Sequence, residues 1–273
     1  MIGNDTESDA FKLMFKKFKK YDESMANEVI DFDKANNYSF VKKLDLTSNA
    51  KDKHLHKSYL RSDFNNPEDW QIYTLDNIPK GLLVVRRIFT ESAASKWFHK
   101  LLYSIPDEYA NKVKSNVPLP TSDRETSNLR WVTFGYHHNW DTKVYSEKGE
   151  VPDDIAELCR CISSVLGLQF TAEAGIINYY TSKSTLSPHA DVSEVNKKAP
   201  LFSLSLGSSA IFLVGGEQRC SSPISAMYLQ NSDLLIMSEE SRLSFHAIAK
   251  VLQNNNDSGR IITRINLNIR QVY

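Results

Sequence analysis

From Glu173 onward the chain breaks into short apolar runs: Glu173–Tyr180, Leu201–Leu206, Ala210–Val214, Ala226–Leu229, Leu234–Met237, Leu243–Ala249 and Ile261–Ile269. Gly215-Gly216, Gln230-Asn231-Ser232-Asp233 and Asn254-Asn255-Asn256-Asp257-Ser258-Gly259 punctuate them, because Gly and Asn reach turn conformations that other residues avoid. Runs of this length and composition read as strands, and many short strands at regular spacing predict a β-sandwich or jelly roll. Such a fold sets strands side by side that are distant in sequence. Residues of one site are therefore to be sought far apart in the chain.

Upstream the pattern is helical in three places. Phe11, Met14, Phe15, Phe18 and Tyr21 recur at three- and four-residue spacing with lysines opposite, which predicts an amphipathic helix over residues 9–21. It reads as a docking helix with a solvated basic face rather than a phosphate-binding one. A second helix is predicted over Glu91–Tyr103, after a strand at residues 82–88. A third covers residues 152–166, with Pro152 suited to its first turn, Gly167 beyond its end, and Ile155, Leu158, Ile162 and Val165 as its buried stripe. Residues 31–80 are polar and broken up, and Pro106, Pro118 and Pro120 mark a loop-rich crossing. The expected fold class is α+β, with a jelly-roll core and N-terminal helices beside it.

Composition narrows the class. At 273 residues the chain can bury a large core. Lysine plus arginine (33) balances aspartate plus glutamate (33), which excludes a basic nucleic-acid tail and an acidic disordered chain. A nucleic-acid partner stays open, since only the face that meets it has to be basic. The three cysteines show neither framework nor zinc spacing, so reduced thiols inside the cell are expected. No run is long enough to span a bilayer and no leader is visible, so no membrane partner is expected.

His189 and Asp191 are two apart, so on a strand both side chains leave the same face. They would supply two legs of a 2-His-1-carboxylate set, which leaves positions open on non-haem Fe(II). Alone, a His-x-Asp reads first as a surface histidine beside a turn aspartate. His246, in Leu243-Ser-Phe-His-Ala-Ile-Ala249, is either a third donor or a core histidine. His54 and His56 have no third ligand near them in sequence and read as surface residues. In Arg264-Ile-Asn-Leu-Asn-Ile-Arg270 the alternation is strict, with Arg264, Asn266, Asn268 and Arg270 on one face. That face is either the wet side of an edge strand or the wall of a dicarboxylate pocket. A guanidinium binds a carboxylate through two parallel hydrogen bonds, and amides add neutral donors. Asn178 and Tyr180 share a face in the same way.

Residues 128–145 hold the densest group of aromatics and histidines. Trp131 and Phe134 suit a core strand. Tyr136, His137, His138 and Trp140 follow Gly135 and suit a loop or hairpin, where flat, partly polar side chains can stack on a nucleobase.

Taken in order, Asn178-Tyr179-Tyr180, His189-x-Asp191, His246 and Arg264-x-Asn266-x-x-x-Arg270 resemble the Fe(II)/2-oxoglutarate-dependent dioxygenases of the AlkB type. Residues 129–145, 172–180, 201–219 and 241–246 extend the resemblance over nearly the whole chain. It implies a double-stranded β-helix, the jelly roll, over residues 81–273, with a substrate lid and with residues 1–80 a helical or irregular extension packed on it. It implies that His189, Asp191 and His246 hold Fe(II), with 2-oxoglutarate and O2 as cosubstrates. Arg264, helped by Tyr180, would pair with the distal carboxylate of 2-oxoglutarate, and Asn178, Tyr179, Asn266 and Arg270 would complete that site. Trp131, Tyr136, His137, His138 and Arg219 would meet the substrate base.

The implied activity is oxidative demethylation of methylated bases in nucleic acid: N6-methyladenine in DNA, or 1-methyladenine or 5-methylcytosine in tRNA. It would release formaldehyde or leave a hydroxylated base, with succinate and CO2. A base inside a helix is out of reach, so the substrate would be single-stranded, bulged, looped or flipped. A monomer in the nucleus or mitochondrion is expected. Lys16–Lys20 and Lys51–Lys57 read as solvated surface or as contacts to phosphate. Two rivals are a dioxygenase of the same fold acting on protein or a small molecule, and a non-enzymatic nucleic-acid-binding jelly roll. Residues 103–127 look short for the family and lack a tryptophan, so the resemblance speaks to the chemistry before the choice of base.

Overall fold

The computed structural model describes residues 9–46, 54–119, 128–252 and 261–273. The Asn-rich turn at 254–259, Pro120 and residues 51–53 of the second basic stretch lie outside the described residues. In order, the strands are β1 Val41–Leu44, β2 Gln71–Leu75, β3 Leu82–Arg86, β4 Lys114–Ser115, β5 Trp131–Asn139, β6 Val144–Lys148 and β7 Ala174–Tyr180. They continue as β8 Leu186–His189, β9 Leu201–Gly207, β10 Ala210–Val214, β11 Ser225–Leu229, β12 Leu234–Met237, β13 His246–Val251 and β14 Arg264–Arg270. The α-helices are α1 Ala10–Lys19, α2 Glu91–His99, α3 Ile105–Glu108 and α4 Asp153–Leu166.

Strand alternation builds two facing sheets. A 10-stranded sheet runs β1-β2-β3-β12-β9-β14-β7-β5-β4, with β6 paired to β5, and a 4-stranded sheet runs β11-β10-β13-β8. Every strand pairing is antiparallel. Between the sheets lies one apolar cluster, to which the large sheet gives Tyr180, Leu201, Leu235 and Met237 and the small one Phe212, Val214, Met227 and Ile248. The opposite face of the large sheet carries Ile177, Leu204, Leu267 and Ile265 against Trp97, Leu101, Leu158 and Ile162 of the helical layer. Burying side chains of this kind contributes about 1.5–3 kcal/mol each. This is the expected jelly roll, and β10 and β12 match their predicted bounds.

The predicted docking helix is α1. Phe11 and Phe18 are fully buried against Ile211, Leu213, Ala247 and Ala249, the outer face of the small sheet. Asp9 caps its N-terminus by accepting from the Lys12 amide at 2.8 Å, and Lys16, Lys17 and Lys19 sit in its last turn, where cations favour the helix dipole.

Three expectations change. Residues 31–80 are not only helical or irregular, because β1 and β2 lengthen one edge of the large sheet. In Val41-Lys-Lys-Leu only Val41 is buried, so no alternation marks the strand in the sequence. Pro106 does not open a loop. The chain widens into a π-helical stretch at Lys100–Ser104 that runs on into α3, so Pro106 stands in helix, and the Leu101 carbonyl five residues before it accepts from the Tyr179 hydroxyl. Pro152 lies one residue before α4, at its N-cap.

At Gly175 in β7, an added Cβ would meet Cζ of the buried Phe134 ring at 1.9 Å. Gly175→Ala is expected to cost about 1–3 kcal/mol through overpacking, read as a lower urea midpoint at unchanged slope.

Candidate metal and cosubstrate site

Antiparallel pairing of β8 with β13 sets His189 directly opposite His246, and their ring centroids are 4.3 Å apart. Each Nδ1–H donates to a carbonyl two residues back in its own chain, His189 to Ser187 at 2.8 Å and His246 to Ser244 at 3.0 Å. Those bonds fix the tautomer and leave both Nε2 lone pairs for a metal. Asp191 is not on the strand, as its spacing suggested. It follows the end of β8, yet its Oδ2 comes within 3.8 Å of His246 Nε2, and one ligand atom from each of the three lies within 4.8 Å of the others.

The protonation states suit a divalent cation. Burial, reinforced by His189, lowers the His246 pKa to about 4, so the imidazole stays neutral. Burial works against ionisation of Asp191, but Arg270 and the two imidazoles outweigh it and hold the carboxyl well below its ordinary range. Two imidazole nitrogens and one carboxylate form a donor set that fits Fe(II). A second group, His54, Glu157 and Cys161, is also close enough to chelate. Its carboxylate is already engaged, with Arg160 Nε at 2.8 Å and the Ser58 hydroxyl at 2.5 Å. His54, expected at the surface, makes a 3.1 Å contact to that carboxylate.

Beside the donor set, the polar face of β14 looks into the space between the sheets. A cavity there is lined by His189, His246, Ser203, Asn266 and Asn268, with Phe212, Leu229 and Met237 as its apolar wall. Arg264, on the same face of β14 as Asn266 and Asn268, is fully buried. It donates to Ser208 O at 2.9 Å, Leu229 O at 3.3 Å and Ser205 Oγ at 2.7 Å, and among the described residues no carboxylate forms an ion pair with it. Burial lowers its pKa to about 10. Its Nε and the Tyr180 hydroxyl are both buried with no partner among the described residues, and burial raises that tyrosine to about 12. A buried cation beside an orphaned hydroxyl is an arrangement that a carboxylate would complete.

The remaining expected cosubstrate residues divide. Asn178 lies opposite Trp131 on one side and Asn266 on the other, in one row across the face. Asn266 donates to Ser203 Oγ at 2.9 Å and Leu204 O at 3.1 Å. Tyr179 does not belong to the pocket. Strand alternation turns it to the helical side, where its hydroxyl donates to Leu101 O at 2.8 Å. Arg270, at the other end of β14 from Arg264, binds the metal-side carboxylate itself, donating to Asp191 Oδ2 at 2.8 Å.

The expected base-contacting residues divide too. Trp140 packs edge-on to His138 at 4.7 Å and tilted to Trp131 at 5.8 Å. His138 Nε2 reaches Ser193 Oγ at 3.0 Å, just beyond Asp191. Trp131, His138 and the exposed Trp140 therefore gather on the metal side. Tyr136 instead packs on Tyr273 at 5.1 Å. His137 is buried, bonded to Thr133 Oγ1 at 2.9 Å, and lines a separate cleft with Lys112, Lys114 and Glu147. Gly135 has a φ of 68° and the pairing slips between Tyr136 and His137, which re-phases the strand. Arg219 ties down α1 through Asp9 at 2.9 Å and lies over the Phe245 ring. Sequence reasoning missed Tyr145, Glu194 and Arg242 as site residues, which are buried around Asp191; Tyr145 and Arg242 lie in stretches that carry the family resemblance, and Glu194 lies three residues after Asp191.

Residues 81–270 match the family described as the 2OG-Fe(II) oxygenase superfamily. The chain is 48% identical to the nucleic acid dioxygenase ALKBH1 of Homo sapiens over 134 residues, 48% of this chain and 34% of that protein. It is 35% identical to the tRNA demethylase abh1 of Schizosaccharomyces pombe over 171 residues, 57% of this chain and 56% of that one. The matches thus span from a third to about half of these relatives. Among solved structures, that of OsALKBH1 superposes with a TM-score of 0.53 at 19% identity, covering 73% of this chain and 99% of that one, a likeness of fold.

Proposed function

The chain belongs to the 2OG-Fe(II) oxygenase superfamily, on the match over residues 81–270, and from that premise we propose that it oxidatively demethylates bases in nucleic acid. The observation that carries the reading is the pairing of two features along the polar face of β14. A two-histidine, one-carboxylate donor set stands beside the cavity that Asn266 and Asn268 line, and Arg264, on the same face of that strand, is buried with no carboxylate partner among the described residues. The choice of nucleic acid is supported by Trp131, His138 and Trp140, flat side chains beside the donor set, and by the names that the human and fission-yeast relatives carry.

In this reading His189 Nε2, Asp191 Oδ and His246 Nε2 hold Fe(II), and Arg264 with Tyr180 receives the distal carboxylate of 2-oxoglutarate. Asn178 and Asn266 bound the side of the chain-like cosubstrate. Such a centre would use O2 to hydroxylate a methyl group while 2-oxoglutarate is oxidised to succinate and CO2, one oxygen atom going to each product; an N-hydroxymethyl group would then leave as formaldehyde and a C-hydroxymethyl group would stay. The protein orients the donors, excludes water from the cavity with Phe212, Leu229 and Met237, and stacks the base against Trp140 and His138. Only an unpaired or flipped base reaches that position.

Trp140→Ala is expected to raise KM for a methylated oligonucleotide by about 5- to 150-fold, from the ~1–3 kcal/mol of one base–aromatic stack. Succinate formed without substrate should not change. A rise in KM for 2-oxoglutarate instead would place Trp140 elsewhere. The reading itself is tested with Fe(II) protein reconstituted without oxygen and given N6-methyladenine DNA, 1-methyladenine tRNA and 5-methylcytosine tRNA, products being identified by mass spectrometry. Turnover of at least one is expected. Turnover of none, with succinate still formed on a peptide or metabolite, overturns the assignment to nucleic acid.

A further inference from the structure

Asp191 stands beyond the end of β8, so no ladder of strand hydrogen bonds fixes it. Two arginines hold it instead. Arg270 donates to its carboxylate at 2.8 Å, and Arg242 donates to its backbone carbonyl at 2.8 Å. The same carboxylate, Glu194, links the two arginines: Oε2 accepts from Arg242 Nη2 at 2.9 Å, and Oε1 lies 3.2 Å from Arg270 Nε. Oε1 also accepts from the Tyr145 hydroxyl at 2.6 Å. Arg242 is pinned further by Ala199 O at 3.0 Å. Glu194 and Arg242 are 2% and 1% exposed, and Arg270 is 5% exposed. Burying so many charges adds little to stability compared with an apolar cluster of the same volume. What the arrangement does achieve is geometric, since both arms of the bridge end on one residue.

We infer that Glu194 is the positioning residue of the metal site: by bridging Arg242 and Arg270 it fixes Asp191 in ligand geometry. This rests on the reading of His189, Asp191 and His246 as metal ligands. Glu194 also balances charge. With it, two arginines face two carboxylates. Without it, one uncompensated positive charge faces an incoming divalent cation. Both effects weaken metal binding while leaving every ligand in place.

The test titrates Mn(II) into the full chain without oxygen and follows free Mn(II) by electron paramagnetic resonance, with thermal unfolding of the metal-free protein in parallel. Wild type should bind and Asp191→Ala should not. Absence of binding by wild type overturns the metal reading and this inference with it. Glu194→Gln is expected to fold and to bind about 10- to 100-fold more weakly, the range for loss of a group that orients a ligand. Should that variant not fold, Glu194→Gln with Arg242→Met removes both charges together, and the same weakening is expected. A folded variant with wild-type affinity overturns the role of Glu194 while leaving the metal reading intact. Failure of both variants to fold assigns the network to the fold alone and also overturns it.

Discussion

Asp191→Ala and His189→Ala should each lower metal-dependent succinate formation by more than about 100-fold, a loss at the upper end of that seen when even the groups behind a ligand are removed. The two are not equivalent in their effect on the fold. Asp191 accepts a charge-assisted bond from the buried Arg270, so its removal deprives a buried cation of one partner and costs about 1.5–3 kcal/mol. Glu194 remains beside that arginine at 3.2 Å, which limits the damage. His189 is half-buried and its Nδ1 bonds only its own chain at Ser187 O, so His189→Ala should cost less stability. Activity lost in both, with stability lost mainly in the aspartate variant, separates ligation from folding. Circular dichroism melts beside the succinate assay make that comparison. Substantial succinate formation in a folded His189→Ala protein would refute its place as a ligand.

Arg264→Met should raise the KM for 2-oxoglutarate by at least about 100-fold, since a forked, charge-assisted pair is worth about 3 kcal/mol and each 1.4 kcal/mol is tenfold. Stability should change less than binding. In the protein without cosubstrate, Arg264 is a fully buried cation whose pKa burial lowers to about 10. Replacing it by an apolar side chain of similar length removes that cost but leaves Ser205 Oγ and two carbonyls without their donor. The two effects oppose, and the net change should stay within about 2 kcal/mol. Arg264→Lys should lose most of the affinity as well, because an ammonium cannot present the paired donors of a guanidinium. Isothermal titration of 2-oxoglutarate into the metal-loaded protein reads both affinities, and urea unfolding of the metal-free protein reads the stability. Unchanged affinity in Arg264→Met would move the carboxylate site away from β14.

The parts of this molecule with a strict local period were legible in its sequence. β14 shows it best: Ile265, Leu267 and Ile269 pack on the helices, while Arg264, Asn266 and Asn268 face the space between the sheets. α1 and α4 likewise bury the stripes their spacing predicts. The period misled at points where the backbone departs from it. Asp191 shares no strand with His189, and the positive φ of Gly135 with the slip after Tyr136 puts His138, rather than His137, on the side of Trp131. It was silent in β1, where one buried residue cannot set an alternation. Tyr179 was carried along by its motif, although the same alternation that serves Tyr180 points it to the opposite side. Glu194 was illegible for a different reason. In a polar segment a glutamate looks solvated, and only tertiary packing brings Arg242 and Arg270 onto it.

The central claim is that one site couples oxidation of 2-oxoglutarate to removal of a methyl group from nucleic acid. It is tested most directly by the ratio of succinate to demethylated or hydroxylated base, measured on the same sample of Fe(II)-reconstituted protein with a methylated and an unmethylated oligonucleotide of the same sequence. The account predicts one succinate per modified base and stimulation by the methylated strand alone. Equal succinate release with both strands, without any change in the methylated base, would contradict it.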